Sequence, residues 1–389
     1  MTVWLVAVLV LFVCAMVHAS ILEGWSRRIE NVGSRTEGKH AVGTGVFVSL
    51  IVPARNAATT LIPLLQDLHA QSYPKDHCEV LVVDDGSEDR TAEVVTGMMR
   101  TWPQLHLITL TEDRGKKNAI TKGVMEAKGE LILLTDADAR CGPGRLAALA
   151  EHWRAMRSDL VLMPVGTLGG EGAVAWLQRE EQFALQGATA GSAMEGAPVL
   201  ANGANLAFAR DAFFAVGGFR GDRWASGDDL LLLKRMLHAN RPVSYLLDRD
   251  AIVTVSPEVG WSGFLAQRLR WAGKMRAYRN TAGFMAGLFA ILFPLGLFAL
   301  TLLIARNVSI GENLLYTWTL LAAAWLMWVL PIVRLARGMK RFFASASSPS
   351  RSVANAIGTL GALAVFAVYA PLIAALALFI RPQWKGRRV

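Results

Sequence analysis

Residues 3–22 carry no Asp, Glu, Lys or Arg, and no other feature narrows the possible folds as sharply. As a helix, that run is long enough to cross a hydrocarbon core. A cleaved signal peptide is the rival reading, because Val17-His18-Ala19-Ser20 loosely resembles a cleavage site. Against it, no positive residue precedes the run, which is also long for a signal core. Residues 283–305, 314–333 and 354–380 are further apolar stretches. Pro294, Pro331 and Pro371 lie within them, as membrane helices tolerate. The last stretch exceeds the minimum span and either tilts or begins at the interface. These ends explain why 53% of the 389 residues are hydrophobic, above the usual share for a soluble domain.

Positive residues near the spans set the orientation. Arg27, Arg28, Arg35 and Lys39 follow the first span, and Arg268, Arg270, Lys274, Arg276 and Arg279 precede the second. Both groups put the intervening region in the cytoplasm, beneath a multi-pass cytoplasmic membrane. Arg334, Arg337, Lys340 and Arg341 fit a cytoplasmic loop before the last span. The basic tail at 381–389 conflicts, since four full spans would place it outside. The net charge of +9 is thus largely juxtamembrane, suited to anionic lipid headgroups. No nucleic-acid module is recognisable. Three dispersed cysteines, Cys14, Cys78 and Cys141, form no CxxC pair, zinc spacing or disulfide framework.

The expected divisions are an anchor at 1–24, a linker at 25–45, a cytoplasmic domain at 46–256, an amphipathic interfacial segment at 257–282, membrane helices at 283–380 and the tail. Within the domain, apolar runs at 46–52, 79–83, 105–110 and 131–134 read as strands. Helical patterns separate them, so the class is α/β with a parallel sheet and right-handed crossovers. Each strand ends in polar residues: Pro53-Ala54-Arg55-Asn56, Asp84-Asp85-Gly86-Ser87, Arg114-Gly115-Lys116-Lys117 and Thr135-Asp136-Ala137-Asp138. Ligands of open α/β sheets bind beyond the carboxyl ends of the strands. Strand alternation would put Asp136 and Asp138 on one side, where a divalent cation such as Mg²⁺ or Mn²⁺ could join them to a diphosphate. A carboxylate can accept a base N–H, backbone at a strand exit can approach a ribose, and a lysine can neutralise phosphate. Each piece also has a plain structural reading. Asp-Asp-Gly-Ser is a turn with an N-cap, Asp136–Asp138 precede a helix starting near Arg145, and Lys-Lys suits a solvated loop.

These motifs resemble the nucleotide-sugar half of glycosyltransferase family 2 enzymes, which have the GT-A fold. The resemblance continues through Asn202-Gly-Ala-Asn205, Gly217-Gly-Phe219 and Gly227-Asp228-Asp229-Leu230, and ends at Gln267-Arg-Leu-Arg270-Trp271, which matches the Q-x-x-R-W motif of membrane-bound members. It implies a GT-A-type, mostly parallel sheet with helices on both faces. Pro53, Ala54, Arg55, Asp84, Asp85, Lys116 and Asp136 would bind the nucleotide-sugar, and Asp136 and Asp138 the metal. Gln267, Arg270 and Trp271 would serve the acceptor and diphosphate. The family often carries Glu-Asp where this chain has Asp228-Asp229. The second acidic position is kept, which implies Asp229 as the catalytic base, with Asp228 as the alternative.

The expected activity is inverting transfer from a nucleotide-sugar, UDP-linked in the first instance, to a membrane-associated lipid acceptor. A processive polysaccharide synthase is the enzymatic rival, and a saccharide would then be the acceptor. A non-catalytic assembly protein on a transferase-like domain is the rival from another class. A nucleotidyltransferase would leave Gln267–Trp271 unexplained. Asp229 also reads as the N-cap of a helix over 230–238, and 264–271 as an amphipathic helix on the bilayer. Asn202 and Asn205 suit backbone hydrogen bonds as well as acceptor contacts. Trp176, Phe183 and Trp224 suit packing better than sugar stacking.

Overall fold

The computed structural model describes residues 3–33, 45–167, 169–222, 227–275, 281–306, 314–344, 354–380, 383–384 and 387–388. Arg35, Lys39, Trp224, Arg276, Arg279, Arg381 and Lys385 lie outside them.

Helix α1 runs Val3–Gly33. Then come β1 (Val48–Ala54), α2 (Ala58–His69), β2 (Cys78–Asp84), α3 (Thr91–Met99), β3 (Leu105–Thr109), α4 (Lys116–Glu126) and β4 (Leu131–Leu134). The second half holds β5 (Arg140–Cys141), α5 (Arg145–Met156), β6 (Leu160–Leu162), β7 (Val165–Thr167), α6 (Gly172–Met194), β8 (Leu206–Ala209), α7 (Arg210–Ala215), α8 (Asp228–His238), β9 (Val243–Tyr245) and β10 (Val253–Val255). Helices α9 (Gly260–Met275), α10 (Ala282–Arg306), α11 (Leu314–Phe343) and α12 (Ala354–Phe379) follow.

The main sheet has the order β3-β2-β1-β4-β8-β6-β9. Its first four strands are mutually parallel, and β8 runs antiparallel to both β4 and β6. Strands β5, β10 and β7 form a small second sheet. Period-two alternation sorts the main-sheet side chains into two layers. Val48, Leu50, Val52, Leu131 and Leu133 pack with Leu61, Leu65, Val95 and Trp153 of α2, α3 and α5. Ile51, Leu81, Ile132 and Leu134 face Ile120 of α4, Ala190 of α6, Phe213 of α7 and Leu232 of α8. Burial on both faces explains why these strands read as continuous apolar runs.

The second layer also takes in Leu22 and Ile29 of α1 and Leu335, Met339 and Phe342 of α11. Two of the long apolar helices are therefore seated on the core of the sheet domain itself. The opposite ends of α1 and α11 pack with α10 through Val8, Ala15, Leu297, Leu321 and Trp328. Helices α1, α10, α11 and α12 are each long and apolar enough to cross a membrane.

Three local expectations are corrected. Residues 25–33 are helical rather than linker. Arg334 of α11 binds both Glu23 and Glu30 of α1, the latter at 2.8 Å, so the helix continues past the apolar run. Pro53 does not end its strand but pairs with Val83. Strand β4 stops at Leu134, opposite Ile51, so Pro53 has no neighbour to miss its N–H on that side. Asp136 and Asp138 are not related by strand alternation, because a turn closed by the Ala139 N–H to Asp136 O (3.1 Å) follows β4.

Candidate active site

The carboxyl ends of β1, β2 and β3 are bound to one another by their exit loops. The Asp85 N–H donates to Ala54 O at 2.8 Å. The Asn56 N–H donates to Ser87 Oγ and the Glu88 N–H to Asn56 Oδ1, both at 2.9 Å. Asp84 accepts the Ser87 N–H at 3.0 Å and also the Ser87 hydroxyl. Asp85 accepts the Gly115 N–H at 2.6 Å, which fixes the start of α4. Both aspartates are buried. Each has a loop-holding task, whatever else it contacts.

Fixing Gly115 delivers Lys116 to the centre of the edge. Its Nζ lies 2.8 Å from Asp136 Oδ1 and 3.5 Å from Asp228 Oδ2. Burial works against the charged amine, but Asp136, Asp228 and Asp229 together hold its pKa above the ordinary lysine range. Helix α8 starts at Asp228, after Gly227 in the left-handed region, so Asp229 sits in the first turn rather than at the cap. Asp229 Oδ2 accepts the Gly203 N–H at 3.2 Å and Oδ1 the Leu230 N–H at 2.8 Å. Carboxylates suit this end of a helix. Gly203 is needed for close approach: a Cβ there would meet Asp228 Oδ2 at 3.0 Å and Lys116 Nζ at 3.5 Å. Thus Lys116, Asp136, Gly203, Asp228 and Asp229, dispersed in sequence, converge.

Asp136 is half-buried and Asp138 exposed on the same turn. Among the described residues no three His, Cys, Asp or Glu side chains form a metal cage. Two carboxylates on one turn offer oxygen donors of the kind a hard divalent ion takes, with the rest of its shell supplied from outside the protein.

Helix α9 carries the remaining expected residues. Burial lowers the pKa of Arg270, while Glu258 and Asp136 act in the opposite direction, so its charge is felt at the Asp136 edge. Gln267 Nε2 donates to Glu258 Oε1 at 3.2 Å. The Trp271 ring lies 4.2 Å from the Arg268 guanidinium and stacks on it. Pro53, Ala54 and Arg55 line the β1 exit. Phe183 packs against Phe343 and Lys340, and Trp176 lies against Gly361, so both serve the membrane-helix contact.

Lys117 does not sit in the solvated loop that Lys-Lys suggested but is buried and paired with Asp222. One further group was not singled out from sequence. Arg145 is wholly buried and donates to Thr135 Oγ1 (2.7 Å) and Asn205 Oδ1 (2.8 Å) beneath the Asp136 turn. Asn205 in turn donates to Pro164 O and Ala251 O at 2.8 Å, which settles it as a structural residue. The only local hint for Arg145 was a charge opening an otherwise apolar helix face.

Comparison with known proteins fits this geometry. Residues 49–217 match the glycosyl transferase family 2 model. A dolichyl-phosphate beta-glucosyltransferase of Trichomonas vaginalis is 36% identical over 99 residues, 24% of this chain and 29% of that protein. The undecaprenyl-phosphate 4-deoxy-4-formamido-L-arabinose transferase of Edwardsiella ictaluri is 30% identical over 144 residues, 36% of this chain and 42% of that protein. The matched stretches thus span about a third of these relatives. The mannosyltransferase PcManGT of Pyrobaculum calidifontis, solved with GDP-Man and Mn2+, superposes with a TM-score of 0.56 at 21% identity. That likeness covers 95% of this chain and 99% of the other and shows the GT-A fold.

Proposed function

We propose that this chain is a membrane-bound inverting glycosyltransferase that moves a sugar from a nucleoside-diphosphate sugar to a lipid phosphate. The observation that carries the reading is the convergence of Lys116, Asp136, Asp228 and Asp229 at one sheet edge, beside Arg270 of α9. The relatives named for dolichyl-phosphate and undecaprenyl-phosphate support the acceptor class. The mannosyltransferase bound to GDP-Man and Mn2+ supports the donor class and the metal.

In this reading Asp136 and Asp138 would hold the metal, which would supply charge neutralisation for the leaving group. Lys116, now paired with Asp136, would add a cation for the diphosphate, and Arg270 a planar fork suited to phosphate oxygens. Such preorganised charge is usually the largest catalytic contribution. Asp229 is held in place by two backbone N–H groups. It takes the proton of a hydroxyl acceptor. A phosphate monoester is largely dianionic near neutral pH and attacks without that help.

The test uses the full chain in detergent with Mn²⁺, undecaprenyl phosphate and radiolabelled UDP-glucose, UDP-N-acetylglucosamine or GDP-mannose. Label should pass into one discrete organic-soluble product. A ladder of polymer would instead favour the processive reading. Folded protein that labels no product with any donor would end the transferase reading.

A further inference from the structure

Helix α6 carries two adjacent glutamates at its middle, and both are buried. Glu180 turns toward the membrane helices, binding Lys340 Nζ of α11 at 2.6 Å and Thr359 Oγ1 of α12 at 2.9 Å. Glu181 turns toward α9. Its Oε2 accepts from Arg268 Nη2 at 2.6 Å and from Nε at 3.1 Å. Its Oε1 accepts the Tyr369 hydroxyl of α12. The Arg268 guanidinium lies between Phe264 and Trp271, at 4.5 and 4.2 Å from the ring centres. Arg268 Nη1 also donates to Gln267 Oε1 at 2.6 Å, and Gln267 continues to Glu258.

This is more fixation than α9 needs to stay docked. Apolar contact of Phe264 with Leu177 and Ala362 already seats it. A buried ion pair is a poor source of stability compared with well-packed apolar groups, but it imposes one geometry. The geometry here is the rotation and register of α9, and the next arginine, two residues on, is Arg270.

We propose that Glu181 and Arg268 are positioning residues: the pair locks α9 so that Arg270 meets the donor diphosphate, and Tyr369 ties that lock to membrane helix α12. The claim rests on Arg270 acting at the donor, as proposed above. Glu181 is engaged by Arg268 and Tyr369 and acts through α9. Of the Gln267–Trp271 motif, Gln267 and Trp271 frame Arg268, and Arg270 interacts electrostatically with Asp136 and Glu258.

Calorimetric binding of UDP with Mn²⁺ to the full chain in detergent separates this from general structural support. Arg270→Ala should weaken UDP about 10- to 100-fold, as loss of a charge-assisted contact does. Glu181→Gln should weaken it about 3- to 10-fold, and by less than about 2-fold when Arg270 is already Ala, because groups acting through one another are non-additive. Tyr369→Phe keeps the ion pair and should give a smaller loss with the same dependence on Arg270. If Glu181→Gln fails to fold, Glu181→Leu with Arg268→Met removes the pair without stranding a charge and should show the same pattern. Equal losses in the wild-type and Arg270→Ala backgrounds, or none in either, would overturn the positioning role. A wild-type chain that binds no nucleotide would instead refute the transferase reading on which it rests.

Discussion

Replacing Lys116 with Met tests the electrostatics of the edge most sharply. The substitution keeps the side-chain length and removes the cation shared by Asp136 and Asp228. Lys116 is 19% exposed, Asp228 4% and Asp136 34%. Breaking a fully buried pair costs about 3–5 kcal/mol. Water reaches Asp136, so the expected loss of stability is about 1–3 kcal/mol. The same change removes one stabiliser of the leaving diphosphate, and kcat should fall about 10²- to 10³-fold. It also has an opposite effect. In the wild type a divalent ion must compete with Lys116 for Asp136, so Mn²⁺ alone should raise the melting temperature little. In Lys116→Met the freed carboxylates should make Mn²⁺ alone clearly stabilising. Thermal denaturation with and without Mn²⁺, and with UDP added, reads all three. Equal stabilisation of both proteins by Mn²⁺ alone, with unchanged stability in its absence, would refute the reasoning.

Three further outcomes follow from particular contacts. Gly203→Ala puts a Cβ 3.0 Å from Asp228 Oδ2. It should reduce turnover at least about tenfold with little change in melting temperature, since the neighbour must shift only by tenths of an ångström to break a catalytic alignment. Asp229→Asn should cost about 10²- to 10⁴-fold on a hydroxyl acceptor, the usual worth of a general base. On undecaprenyl phosphate it should cost far less, and an equal loss on both would contradict the assigned proton role. His152 of α5 bonds Ser244 Oγ at 2.9 Å, and burial lowers its pKa to about 4. The unfolded chain therefore binds a proton that the folded chain refuses as pH falls below the ordinary histidine value. Stability should drop by about 1 kcal/mol between about pH 7.5 and 5.5 from this group, and His152→Gln should remove that share of the decline.

The strands and their polar exits were legible because burial on both faces leaves short apolar runs, and punctuation such as Asp-Asp-Gly-Ser marks their ends. The residues that converge at the candidate site carry the same punctuation. Lys116 and Asp228-Asp229 sit where a loop opens a helix, and Asp136 follows the end of β4. Other features are decided by distant partners and leave no local mark. Residues 25–33 look like a polar linker until Arg334 is placed beside Glu23 and Glu30. Arg145 gains meaning only when Thr135 and Asn205 close around it. Glu180 and Glu181 look like a solvated pair on a helix, yet each is buried against a different membrane-side element. Asp136 and Asp138 show the limit of periodicity arguments, since alternation stops where the strand stops, at Leu134.

The proposed reaction is a single displacement in which the diphosphate leaves toward Lys116 and Arg270. The anomeric configuration of the lipid product, read by NMR after incubation with an α-linked nucleotide-sugar and polyprenyl phosphate, tests it directly. A β-linked product is the predicted result, and an α-linked product would contradict it.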